Sequence, residues 1–192
     1  MHTATEPAKK PMTSDDLFAM RPSKEVDRWL FRGELRESKV TKRNPSHSAT
    51  VVATSAILHV WLKSRPLPRG RVYCGEAYFR IRQDPETNVG IDVALASAEQ
   101  NARTTKRASF VDGAPVLAVE VLSPYDKMKD IDETIVEYLD CGVSQVWIIN
   151  PYQETLSVHR PDREQEFFTF SDEFVGDDTL PGLSFPIAEL FS

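Results

Sequence analysis

The sequence predicts an α/β fold, of the mixed-sheet α+β kind, with a central β-sheet flanked by helices. Three observations carry this. Residues 91–96, 116–122 and 145–149 are short, almost continuously apolar runs, the pattern of strands covered on both faces. Residues 47–63 and 127–140 repeat their apolar positions at helical rather than strand spacing. Proline, glycine and asparagine mark the joints between these segments.

In chain order, residues 1–12 are polar and carry prolines, and are expected to be a disordered lead-in to one domain spanning 13–192. Thr13, Ser14, Asp15 and Asp16 ahead of Leu17 and Phe18 form a helix-start signal, because their side-chain oxygens can accept from the free amides of a first turn. Pro22 stops that helix. Residues 28–35 read as two short strands around a turn at Gly33. Asn44 and Pro45 open a long core helix over 47–63, in which Val52, Ala56 and Val60, and also Ala53, Ile57 and Trp61, recur at helical spacing. Pro66 and Pro68 end it. Residues 70–82 alternate like a strand with a bulge near Gly75.

A turn at 84–88 leads into the 91–96 strand, and 97–113 is expected to be a polar surface loop with little regular structure. After the 116–122 strand, the helix over 127–140 turns Ile131, Ile135 and Tyr138 or Leu139 inward and stops at Gly142. The 145–149 strand follows. Residues 154–160 and 166–170 alternate like a hairpin, and a short closing segment at 188–191 completes the chain.

The 192 residues are 41% hydrophobic and 27% charged, which suits a globular protein. No run approaches the roughly 18 apolar residues of a membrane span, and no signal-peptide pattern opens the chain, so a cytoplasmic location is expected. Cys74 and Cys141 stand far apart in apolar settings and are expected to be buried thiols; neither they nor the four histidines have zinc-ligand spacing. The net charge of −6 opposes nucleic-acid binding through bulk electrostatics. The charge is uneven, however. Residues 40–82 carry Lys42, Arg43, Lys63, Arg65, Arg69, Arg71, Arg80 and Arg82 against Glu76 alone, which leaves room for a local basic face.

Two of the apolar strands each contain one carboxylate, Asp92 and Glu120. An ionised carboxylate in an apolar strand costs several kcal/mol unless a cation or donors compensate it. Two readings stand at this point. Each can sit at a strand end, paired with arginine or solvent; or both can face one site and hold a hard divalent ion, which would activate water on a phosphodiester.

The run GAPVLAVEVLSPYDKMKDIDETIVEYLDCGVSQVWIINP over 113–151 resembles the signature half of the bacterial "putative restriction endonucleases" of the Uma-two type, long labelled a domain of unknown function. MTSDDLFAM, the RGEL around Glu34, the NPSH ending at His47, the GID ending at Asp92 and the tail DDTLPGLSFPIAELF fall in the family's order. The resemblance implies a restriction-endonuclease-like PD-(D/E)XK core, Mg²⁺ or Mn²⁺ as cofactor and DNA as substrate. It makes Asp92, Glu120 and Glu34 the catalytic metal ligands. His47 matches a common family histidine, read either as a phosphate contact or as an ordinary helix-start residue.

The chain departs from the family pattern in ways that bear on rate. Ile91 replaces the usual proline before Asp92, and Leu122 stands where the motif lysine would follow Glu120. Many members place that lysine four residues before the helix tyrosine, and here that position is Thr134. Loss of a group that polarises the attacking water costs on the order of a hundredfold in rate. Lys127 and Lys129 lie close by in sequence, as substitutes or as solvated helix-start lysines. The expected function is therefore a metal-dependent DNA endonuclease slowed by the missing motif lysine, and a homodimer because two strands are most simply cut by two symmetric sites. The alternative is a catalytically inactive relative serving as a DNA- or protein-binding or oligomerisation module.

Overall fold

The computed structural model describes residues 10–39, 44–124 and 126–192. Residues 1–9 of the expected lead-in, together with Lys42 and Arg43 of the basic segment, lie outside the described residues.

The first elements follow their sequence signals. Thr13 caps α1 (Ser14–Ala19) through a capping box with Asp16. β1 (Val26–Phe31) and β2 (Glu34–Lys39) pair antiparallel across a turn in which Arg32 and Gly33 both have positive φ, 51° and 75°. Asn44 accepts from the His47 amide to start α2 (Pro45–Lys63). β3 (Arg71–Gln83) and β4 (Glu86–Ala96) form a long hairpin, so residues 86–88 belong to the strand and not to the turn.

The segment at 97–113 is more ordered than expected. Ser97 and Gln100 close a capping box on α3 (Ala98–Arg103), and β5 (Val111–Asp112) pairs parallel with β3. The Ser-x-x-Gln spacing is the signal that loop-like composition hides. β6 (Leu117–Val121), α4 (Met128–Asp140) and β7 (Gln145–Asn150) form a crossover joining two parallel strands. β8 (Thr155–His159) and β9 (Glu166–Thr169) extend the sheet as a hairpin. β10 (Glu173–Val175) and β11 (Ser184–Pro186) pair separately, and a 3₁₀ turn, Ile187–Leu190, follows.

Among the described residues the large sheet is mixed, in the order β2-β1-β4-β6-β7-β8-β9, with β3 also on β4 and β5 on β3. Alternation along its central strands feeds two cores. Val93, Leu95, Val119 and Trp147 pack with Leu58 of α2, while Ala94, Ala118, Val146 and Ile148 pack with Ile135 and Tyr138 of α4.

Two expectations about burial need correction. The buried stripe of α2 is His47, Thr50, Thr54 and Leu58, whereas Val52 and Val60 remain 68% and 69% exposed. Threonine can occupy the core side because Thr54 returns its hydroxyl to the Thr50 carbonyl at 2.7 Å. Of the two apolar stripes, Val52, Ala56 and Val60 stay exposed, while Ile57 and Trp61 are half-buried against the core. Cys74 is exposed and Cys141 half-buried. Cys74 immediately precedes a bulge on β3, in a stretch where no strand covers the outer edge, since β5 pairs only with Phe79 and Arg80.

Candidate functional site

The site forms where β4 is re-aimed. On one side of β4 the register with β3 shifts between Cys74 and Ala77, so the bulged residues Gly75 and Glu76 lie opposite Asp92. Their φ values of 79° and 60° make the bulge, and such bulges typically redirect a side chain beside a functional site. Gly90 leaves room for it: a Cβ there would lie 3.2 Å from the Glu76 carbonyl oxygen. On the other side, the β4–β6 ladder ends at the Val93–Val119 pair. Asp92 and Glu120 are the next residue on each strand beyond that pair.

Asp92 fills the opening between the strands. Along β6 the Leu122 amide donates to Ile149 of β7, so the Val121 amide points toward β4, where it donates to Asp92 Oδ2 at 2.9 Å. His47 Nε2 lies 3.2 Å from the same oxygen. Both side chains are buried, Asp92 at 7% and His47 at 3% exposure. His47 is more than an ordinary helix-start residue: it reaches from the first turn of α2 to brace a carboxylate on the sheet.

Glu120 is braced from the other side. Tyr138 of α4 donates its hydroxyl to Glu120 Oε1 at 2.7 Å. Burial and the neighbouring charges of Glu120 and Asp92 push the phenol well above its ordinary pKa, so it stays a proton donor. The β4–β6 register places the two carboxylates opposite one another, just beyond the last paired residues. Sequence left Tyr138 or Leu139 as the inward residue, and the structure buries Tyr138 with Leu139 packed beside it; the need of a buried tyrosine for a hydrogen-bond partner was the available clue to its contact.

Glu34 stands apart from this pair. It is exposed at the start of β2, lining a groove of about 550 Å³ with Phe31, Arg36, Lys129 and Glu133. Among the described residues, no three His, Cys, Asp or Glu side chains are gathered closely enough to form a metal cluster. Two carboxylates nevertheless suit Mg²⁺ or Mn²⁺, which complete their shells with water and phosphate oxygens. At the lysine positions, Leu122 packs against the core on the α4 side, and Thr134 donates its hydroxyl to the Asp130 carbonyl at 2.9 Å. Lys127 precedes the first turn of α4 and is exposed.

One buried carboxylate was missed. Glu137, fully buried on α4, accepts from Arg32 Nε at 2.6 Å, Arg82 Nε at 2.9 Å and Thr87 Oγ1 at 2.6 Å. Burial alone would raise its pKa, but the hydrogen bonds from Arg82, Thr87 and Arg32 outweigh it and hold the value at about 2. The cluster ties α4 to the β1–β2 turn, β3 and β4. One residue along the helix, Tyr138 reaches Glu120. Among the expected basic residues, Arg82 is therefore neutralised here and Arg80 pairs with Asp112 at 2.9 Å.

The model of the Uma2 family, described as "Putative restriction endonuclease", matches residues 15–188. A crystal structure of "a putative nuclease belonging to DUF820 from Anabaena variabilis ATCC 29413" shares the fold, with a TM-score of 0.77 and 19% identity over 94% of this chain and 98% of that one. No curated protein matches significantly.

Proposed function

The chain belongs to the Uma2 family, and on that premise we propose that it is a Mg²⁺- or Mn²⁺-dependent endonuclease hydrolysing DNA phosphodiester bonds, with Asp92 and Glu120 as its metal ligands. The observation that carries the reading is the carboxylate pair at the end of the β4–β6 ladder, opposite a bulge and braced by His47, Val121 and Tyr138. Asp92 is buried and Glu120 half-buried; withdrawing carboxylates from water is costly, and a cation that the two share would offset that cost. A bound divalent ion would supply an activated water and neutralise charge on the phosphate.

The protein's own groups orient that chemistry. Val121 and His47 occupy Asp92 Oδ2 and so fix the carboxylate's rotation. Tyr138 does the same for Glu120 through Oε1. Glu34, the third acidic residue that the family resemblance implies, lines a groove shared with Lys129 and Glu133 of α4, and its part in ion binding is read by adding Glu34→Ala to the titration below. Two copies acting on the two strands of a duplex complete the reading.

A second reading, a binding module that has lost catalysis, is favoured by Thr134 and Leu122, which leave the usual lysine positions without charge. Calorimetric titration of Mg²⁺ and Mn²⁺ into the wild type, Asp92→Ala and Glu120→Ala, followed by incubation with supercoiled plasmid, separates the two. Ion binding in the wild type alone, with nicking by the wild type alone, is the expected result. Ion binding without nicking selects the binding module, and unchanged behaviour of Asp92→Ala removes the proposed site.

A further inference from the structure

We propose that the outer face of α2 is the contact between two copies of this chain, packed antiparallel about a two-fold axis near Ala56. The inference deepens the dimeric part of the functional reading and rests on it. Exposed helix faces in globular proteins ordinarily carry charge, yet residues 45–62 contain no Asp, Glu, Lys or Arg. Instead, exposed Ala49, Val52, Ala56 and Val60 follow one another at three- and four-residue steps along one stripe. That spacing is the seam by which helices pair. Beside it runs a groove of about 620 Å³, walled by Ala53, Ile57, Glu189 and Ser192.

The occupant is argued from self-complementarity of shape and charge. In an antiparallel pair centred on Ala56, Val52 meets Val60 of the partner subunit and Ala56 meets its own copy. Lys63 of the partner subunit then falls opposite Ala49, on the groove that Glu189 walls. Both Lys63 and Glu189 are exposed, so the two-fold brings opposite charges together twice, at the two ends of the seam. At about 1.5 Å per residue, the two His47 side chains stand about 27 Å apart along the helix axis, so each copy keeps its own carboxylate pair clear of the contact.

Sedimentation velocity of the full chain across the micromolar range tests this, with Val52→Glu, Val60→Glu, Lys63→Glu, Glu189→Lys and the double charge reversal. A wild-type dimer is expected. Each valine variant should be monomeric and folded, with the circular-dichroism spectrum of the wild type and a melting temperature that no longer depends on protein concentration, because the side chains it replaces are exposed. Each single charge reversal should weaken association about tenfold, and the double reversal should recover it, as expected of close charge pairs across an interface. A monomeric wild type, or a dimer indifferent to Val52→Glu and Val60→Glu, overturns the proposal. So does a wild-type monomer that dimerises only when residues 1–9 are removed, because the chain's own N-terminal segment would then cover the face. Plasmid nicking is measured in parallel: its absence with the dimer intact defeats the nuclease reading alone, and nicking by a monomeric wild type defeats the interface alone.

Discussion

On the proposed nuclease reading, Thr134 is the position at which the lysine that the family resemblance implies would be supplied. It lies one helical turn before Tyr138, and side chains four apart on a helix are neighbours, so a long cation at 134 can extend toward the carboxylate that Tyr138 holds. Thr134→Lys is expected to raise the plasmid-nicking rate about tenfold to a hundredfold over the wild type, in line with a group that stabilises developing charge. An unchanged rate would show that the lysine's work is done elsewhere or not at all. Tyr138→Phe probes the opposite direction. It removes the donor to Glu120 in a buried setting, and should cost about 1–2 kcal/mol of stability by urea titration and weaken Mn²⁺ binding about tenfold, as losing a partner that orients a metal ligand does. At this scale the sequence was informative about chemistry and silent about bracing. Asp92 and Glu120 stood out because charge in an apolar strand needs a reason. The His47–Asp92 contact spans 45 residues and the Tyr138–Glu120 contact crosses from helix to sheet, and neither distance is encoded in local spacing.

Among the elements, α4 carries the most weight. One face inserts Ile135 and Tyr138 into the core, and Glu137 locks the helix onto three other elements through Arg32, Arg82 and Thr87. The helix itself was readable from Ile131, Ile135 and Tyr138, but Glu137 was not, because a glutamate beside an apolar stripe is ordinarily solvated and its arginine partners come from distant strands. The pH dependence follows from its sign. Glu137 has a folded pKa of about 2 against an ordinary 4.5, so it contributes stability above about pH 4.5, and this is lost as pH falls toward 2. Glu137→Gln is therefore expected to lower stability by about 3 kcal/mol at pH 7, with the gap to the wild type closing between pH 4.5 and 2. Urea melts of both proteins at pH 7, 4 and 2.5 check this; a gap that persists at pH 2.5 would place the charge elsewhere. Strand β3 was legible down to its bulge at Gly75 because glycine marks such irregularities, whereas the start of β4 at Glu86 was hidden by turn-like composition, and the facing of α2 depended on threonines whose hydroxyls the helix satisfies by itself.

For the whole molecule, the net charge of −6 and the dispersal of its cations decide how DNA can be held. The basic excess over 40–82 does not form one free face among the described residues. Arg80 and Arg82 are paired with Asp112 and Glu137, while Arg65 and Arg69 bond the backbone carbonyls of Pro181 and Arg65. Elsewhere Arg28 pairs with Glu37 and Arg36 with Glu133. On the proposed nuclease reading, a net-acidic protein with several of its arginines in ion pairs releases few counterions when a duplex binds, and ion-bridged phosphate at Asp92 and Glu120 would supply much of the affinity. With about three phosphates neutralised, the logarithm of the association constant should fall with the logarithm of salt concentration at a slope near −3. Fluorescence anisotropy with a labelled duplex, in Ca²⁺ to hold the complex without turnover, measures that slope. A value near −8 would demand a broad cationic face that the described residues do not supply. If the slope is shallow and binding is lost in Asp92→Ala, the divalent ion is the main attachment to DNA, and the acidic composition that argued against nucleic acid reflects a protein that grips its substrate through metal rather than through lysine and arginine.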